Sequence, residues 1–194
     1  MNIRSLAIKN KDITIISNNC FAGMFYKHYG LKFNSPTIGL FIRSQEYMKF
    51  LQCLPEILEG GYDLFEKKTD AKWPVGIIHT RNSNVDIEIN FMHYSVFEEA
   101  AEKWKRRMTR VDLKKTIVFF MQTPFFSEYD LKLLKDIPYG EKVFAYDSKI
   151  LGNVSAENVI CKKTKAFHWE PDFTWDFSVM LKNTKMKQIV NNMK

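Results

Sequence analysis

Four groups of side chains in the 194-residue sequence could do chemistry. Cys20 ends the run Ser17-Asn18-Asn19-Cys20, where an apolar Ile/Thr segment gives way to a helical pattern. A helix N-terminus favours the thiolate, the nucleophilic form of cysteine. An acyl-transfer centre there needs a base within reach, His28 or His93. The commoner fate of such a thiol is to pack as a small buried side chain. Ser17, Asn18 and Asn19 are ligand-binding candidates, because free N–H groups at a helix start attract phosphate or carboxylate and the amides suit sugar hydroxyls. Asn also caps helices with no ligand present.

Glu88 and His93 form the second group. A carboxylate and an imidazole can share acid–base work on a sugar hydroxyl. Their opposite parity puts them on opposite faces of a continuous strand, so they converge only if the strand ends or bulges near Met92. Otherwise Asp86, Glu88 and Asn90 form a solvated face, and His93 is a core histidine. His79, after Ile77-Ile78, carries the same ambiguity.

The third group is basic: Lys103, Lys105, Arg106, Arg107, Arg110, Lys114 and Lys115. Arginine suits bidentate phosphate contacts, so a nucleotide-sugar, a lipid-linked sugar or an anionic bilayer is the expected partner. A solvated basic face is the ordinary alternative. Adjacent helical residues diverge by about 100°. Arg107, three beyond the core residue Trp104, is expected to turn toward the crevice, and Arg106 toward solvent. The fourth group is aromatic: Phe167, Trp169, Phe173, Trp175 and Phe177 suit sugar stacking, a membrane interface or packing onto the core. Basic and aromatic residues are separated along the chain, which makes nucleic acid an unlikely partner. The four histidines have no metal-ligand spacing, so no metal is expected. No G-x-G-x-x-G is present, and no cofactor is assigned.

The elements that must position these groups follow from periodicity and punctuation. Residues 11–17 predict a strand, with Asp12 to Ser17 interior to a sheet, and 20–29 a helix stopped by Gly30. Pro36 to Ile42 predicts a second strand. Ser44 opens a helix with an apolar stripe, which Pro55 kinks or restarts and Gly60-Gly61 ends. Residues 62–67, 75–79 and 85–91 predict short strands, the last alternating cleanly. Ser95 and Glu98 read as a capping box for a helix burying Phe97, Ala100, Ala101, Trp104 and Met108. Strand 116–121, a helix from Ser127 to before Pro138, strands 142–146 and 158–162, and a helix over 175–191 complete the pattern. This is a single α/β domain over residues 1–194: a mixed β-sheet flanked by helices, with a Rossmann-like opening unit and a β-rich middle.

Composition agrees with a folded chain: 45% hydrophobic residues, 16 Phe and a formal net charge of +7. Three cysteines without Cys-x-x-Cys spacing argue against a zinc ribbon or disulfide framework. No signal-peptide core and no apolar run of membrane-spanning length is present. The expected location is the cytoplasm, with peripheral contact at the inner face of the membrane as the further option.

The segments Ile15-Ile16-Ser17-Asn18-Asn19-Cys20-Phe21-Ala22-Gly23, Ser35-Pro36-Thr37-Ile38-Gly39-Leu40-Phe41, Asp86 through Tyr94 and Glu98 through Arg107 resemble, in order, a bacterial domain-of-unknown-function family associated with exopolysaccharide and capsule biosynthesis clusters. The resemblance runs from about residue 11 to residue 176. It implies an α/β fold and a role in making or decorating surface glycans. The expected function is a transferase-like enzyme, glycosyl or acyl, acting on a sugar nucleotide, lipid-linked sugar or glycan. A non-catalytic glycan- or partner-binding module of the same pathway is the alternative. One departure stands out: where the family pattern carries an Asp-Arg-Asp-like turn after strand 116–121, this chain has Gln122-Thr123-Pro124.

Overall fold

The computed structural model describes residues 3–124, 126–164, 167–168 and 174–193. The chain runs through β1 (Thr14–Ser17), α1 (Phe21–Tyr29), α2 (Ser44–Leu58), β2 (Tyr62–Lys67), β3 (Val75–Thr80), β4 (Asp86–Asn90) and α3 (Phe97–Met108). It continues through β5 (Thr116–Met121), α4 (Glu128–Asp136), β6 (Glu141–Asp147), α5 (Ser148–Leu151), β7 (Val159–Thr164), β8 (Phe167–His168), β9 (Thr174–Trp175), α6 (Phe177–Thr184) and α7 (Met186–Asn192).

The all-apolar stretch Ile117 to Met121 needs cover on both faces, and β5 finds it inside a parallel sheet ordered β1-β5-β6-β7. One face of that sheet, through Ile15, Ile117, Phe119 and Val143, packs on α1, α6 and α7. The other, through Ile16, Val118, Phe120 and Phe144, packs on α2. The antiparallel meander β2-β3-β4 closes this second layer, with Ile78, Ile87 and Ile89 inward beside Trp104 of α3. Among the described strands, parallel pairing is thus confined to the first sheet, and antiparallel pairing to the meander and to a two-stranded β8-β9 sheet.

β1 is buried as expected, but it is an edge strand rather than an interior one. Side-chain hydroxyls cover its outer side. Tyr26 Oη accepts from Ile15 N (2.8 Å) and donates to Ile13 O (2.9 Å), while Thr37 Oγ1 accepts from Ser17 N (3.0 Å). The segment 36–42 therefore lies beside β1 without forming the predicted second strand. Pro36 has no N–H to give and Gly39 turns at φ +73°, so the extended run breaks. Its one ladder contact is a bridge from Phe41 to Asn90, at 2.8 and 2.9 Å.

Three helix ends also differ from expectation. The Ser95/Glu98 capping box does not form: Val96, extended at φ −136°, is the cap of α3, and Glu98 falls one place short of the position that reaches back. A capping box forms instead at Ser127 and Asp130 of α4. Arg43, not Ser44, caps α2; Ser44 Oγ bonds Thr123 Oγ1 at 2.6 Å. Pro55 lies inside α2, which runs unbroken from Ser44 to Leu58 and does not restart. The carbonyl it leaves without an N–H partner, that of Leu51, accepts from Tyr139 Oη at 2.5 Å. The predicted terminal helix is two, α6 and α7, parted by Lys185 in the left-handed region at φ +53°.

Candidate functional site

The C-terminal end of β1 opens into three loops: Asn18 to Cys20, Asn34 to Arg43, and Phe91 to Val96. Ser17, Asn18 and Asn19 are buried there, and their polar atoms close the protein on itself. Asn18 is a clamp on β5: its Nδ2 donates to Met121 O and its Oδ1 accepts from Met121 N, both at 2.9 Å. Asn19 Oδ1 accepts from Phe21 N at 2.9 Å, and its Nδ2 lies 3.1 Å from Met121 Sδ. Ser17 Oγ donates to Asn19 O at 2.7 Å and accepts from Ala22 N at 3.2 Å. These contacts start α1 and hold β1 to β5. They engage the side-chain donors that the sequence offers to a ligand.

Cys20 has a different setting. It precedes α1 in helical conformation, is partly buried, and its Sγ lies 3.2 Å from His93 Nε2. A second contact runs from Sγ to Leu40 O at 3.8 Å. Burial raises the thiol from 9.0 to about 11, so Cys20 rests as the thiol rather than a preformed thiolate. His93 arrives because β4 ends at Asn90 and the chain turns: Tyr94 N donates to Phe91 O (3.1 Å), and His93 N donates to Gly39 O (3.1 Å). Gly39 is required at that contact. A Cβ there would sit 3.2 Å from the Tyr94 ring and 3.4 Å from His93 Cβ, at a φ that L side chains rarely adopt. His28, the other possible base, packs on Tyr29 and Phe177 instead.

The turn brings His93 to Cys20 and not to Glu88. Glu88 remains on the outward face of the meander, ion-paired to Lys67 at 2.7 Å, which holds its carboxyl below the ordinary 4.5. Its backbone N donates to Glu46 Oε2 at 2.8 Å. His79 pairs with Asp86 at 2.8 Å on the same face.

The basic cluster is not a single patch. Lys103 pairs with Glu99, and Arg106 with Glu102 at 3.4 Å. Lys105, Lys114 and Lys115 are exposed. Arg110 Nη1 donates to Phe33 O at 3.0 Å. Arg107 is only 7% exposed, and its Nη1 donates to Tyr94 Oη at 2.7 Å and to Ile38 O at 3.5 Å. Tyr94 had no signal in the sequence beyond adjacency to His93. The 38–40 loop, read as strand, joins the two halves of the site.

Of the aromatic candidates, Trp169 and Phe173 lie outside the described residues, as do the side chains of Phe167 and Trp175. Phe177 packs against Phe21 at 5.7 Å between ring centroids. The Gln122-Thr123-Pro124 turn is a structural joint: Gln122 Oε1 accepts from Asp147 N at 2.9 Å, and Thr123 holds Ser44. Among the described residues, no group of three His, Cys, Asp or Glu is placed to hold a metal ion. None of the described helices is long and apolar enough to cross a membrane.

An uncharacterized protein of Haemophilus influenzae is 30% identical to the chain over 136 residues. The match covers 70% of this chain and 62% of that protein. The family model for a domain of unknown function, DUF1919, matches residues 2–192. With every residue from β1 to α7 inside that match, the chain belongs to the DUF1919 family.

Proposed function

We propose that the protein is a transferase of surface-polysaccharide biosynthesis that passes an acyl group through Cys20. One observation carries this reading: Cys20 Sγ and His93 Nε2 lie 3.2 Å apart at the open end of β1. The strands of an open parallel sheet present their carboxyl ends to ligand, which is where this pair stands. The family resemblance supplies the glycan context, with a sugar nucleotide, lipid-linked sugar or growing glycan as acceptor and the cytoplasm as the place of reaction.

In the first step Sγ attacks the carbonyl carbon of an activated acyl donor while the thiol proton passes to His93 Nε2. The donor's leaving group departs with that proton, and a thioester remains on Cys20. In the second step an acceptor hydroxyl loses its proton to His93 and attacks the thioester. The Cys20 thiolate leaves and is reprotonated by the imidazolium. Glu88, held by Lys67, takes no part.

The raised thiol and the engaged amides of Asn18 and Asn19 favour a second reading, a non-catalytic binding module. Intact-mass analysis after incubation with an activated acyl ester separates the two. The transferase reading expects one adduct, mapped to Cys20, that a glycan acceptor discharges and that Cys20→Ala and His93→Ala lack. An unmodified Cys20 under conditions that acylate a free thiol peptide leaves the module.

A further inference from the structure

Arg107 is a buried cation that meets no anion among the described residues. It forms no ion pair with any of them, whereas Lys103 and Arg106, its neighbours on α3, each have a glutamate one turn away. Its own contacts are neutral: the Tyr94 hydroxyl, the Ile38 carbonyl and the Phe33 ring, 5.4 Å from the guanidinium carbon. Burying a charge without a counter-charge is unfavourable, and a buried cation is stabilised when an anion completes the pair.

A guanidinium has five N–H donors in a rigid fork. Among the described residues only Nη1 finds a hydrogen-bond partner, and Nε and Nη2 are not among the fully sealed, unpaired polar atoms. That edge of the fork is left without a partner among them. The side chain is also rigidly placed. Tyr94 Oη accepts from Arg107 and donates to Ile38 O at 3.1 Å, so arginine, tyrosine and loop form a closed hydrogen-bonded ring. Arg110 grips the same loop at Phe33 O and adds a second positive charge beside it.

The loop links this cation to the thiol. Three consecutive carbonyls are shared out: Ile38 O to Arg107 and Tyr94, Gly39 O to His93 N, and Leu40 O to Cys20 Sγ. Two residues of chain span at most about 7 Å, so the carbonyls that meet the guanidinium and the thiol lie close together along one loop.

We propose that Arg107 is an anion-recognition residue, its remaining N–H edge receiving a phosphate or carboxylate group of the ligand that Cys20 and His93 face. Arginine matches both oxyanions with two parallel hydrogen bonds, and partial burial limits screening. The inference rests on the transferase reading only for the ligand's second contact; the anion site itself stands without it.

The test is thermal denaturation of the full chain in inorganic phosphate or acetate against chloride at equal ionic strength. Phosphate or acetate is expected to raise the melting temperature of the wild type, and the stronger of the two names the group. Arg107→Gln is expected to weaken that stabilisation about tenfold or more, as loss of a charge-assisted fork requires. Arg106→Gln is expected to leave it intact. Should Arg107→Gln not fold, Arg107→Lys keeps the charge but loses the fork, and a clear weakening is again expected. No specific anion effect in the wild type, or an equal effect in the Arg106 and Arg107 variants, overturns the proposal. Cys20→Ser is expected to keep the full anion effect, so failure of Cys20 acylation and failure of the anion site are separate results.

Discussion

The outer face of the meander and the crevice at the end of β1 are both rich in polar groups, but they satisfy them differently. On the meander strands polar side chains meet complementary neighbours: Lys67 with Glu88, Arg81 with Asp63, His79 with Asp86. Such exposed pairs resemble each other in chemistry and contribute little. In the crevice a thiol faces an imidazole and a buried guanidinium faces a hydroxyl, with no carboxylate in either contact. The pairs on the first face are matched in charge. The second keeps a thiol–imidazole contact and a guanidinium without a counter-charge among the described residues, and a polar residue type alone does not distinguish them; the partner does.

The largest expected effect separates the two histidines. His93→Ala should lower acyl transfer about 10²–10⁴-fold, the range for loss of a general base. His79→Ala, on the meander, should leave the rate within about twofold of wild type. Equal losses in the two variants, measured as turnover of an activated ester, would erase the contrast.

The next concerns the thiol. With its pKa pushed from 9.0 to about 11, Cys20 holds about a hundredfold less thiolate than an ordinary cysteine at pH 8. Alkylation of Cys20 by iodoacetamide, followed by peptide mapping, should be slow at pH 8 and still climbing above pH 10. A plateau below pH 9 contradicts this. The linkage has a definite sign. An acid whose folded pKa is raised withdraws stability as pH rises past its unfolded value, so Cys20→Ser should soften the alkaline loss of stability above about pH 9.

A stability effect comes third. Asn18→Ala strips partners from both the N–H and the C=O of Met121, inside the core, and should destabilise by about 2–4 kcal/mol in urea titration. A ligand-binding asparagine with no structural duty would give almost no change.

The smallest effect belongs to the meander. Lys67 is half exposed, so screening limits its pair with Glu88 to about 0–1 kcal/mol. Lys67 lowers the Glu88 carboxyl below 4.5, so the contribution is whole above that pH and is lost as pH falls through the lower folded value. Glu88→Gln should flatten the acid limb of stability slightly and leave acyl transfer unchanged.

Most of the scaffold was legible because its periodicities were local. The run Thr116 to Met121 is β5 to the residue, and the alternation ending at Asn90 marks β4 with its inward Ile87 and Ile89. Helical spacing set Arg107 toward the crevice and Arg106 toward solvent; Arg106 is exposed, and Arg107 is buried. What escaped was set by distant partners. Apolar content alone could not reveal that 36–42 would cover β1 through the Thr37 hydroxyl instead of a ladder, nor that Val96 would displace Ser95 as a cap. Cys20 and His93 were each readable as candidates, and the break in β4 was the stated condition for His93 to turn. That it turns toward Cys20 rather than Glu88 depends on Gly39, a residue of the misread segment.

The Asn18 clamp also carries a consequence for the order in which the molecule is made. Asn18 and Met121 are 103 residues apart, and among the described residues β1 has β5 as its only ladder partner. During synthesis the first strand, with Cys20 directly behind it, has no strand to join until β5 has left the ribosome. By then the meander and α3 have emerged, carrying His93 and Arg107 with them. The crevice is therefore closed from its far side: its walls can form before its floor, and the clamp of Asn18 on Met121 is among the long-range contacts that wait longest.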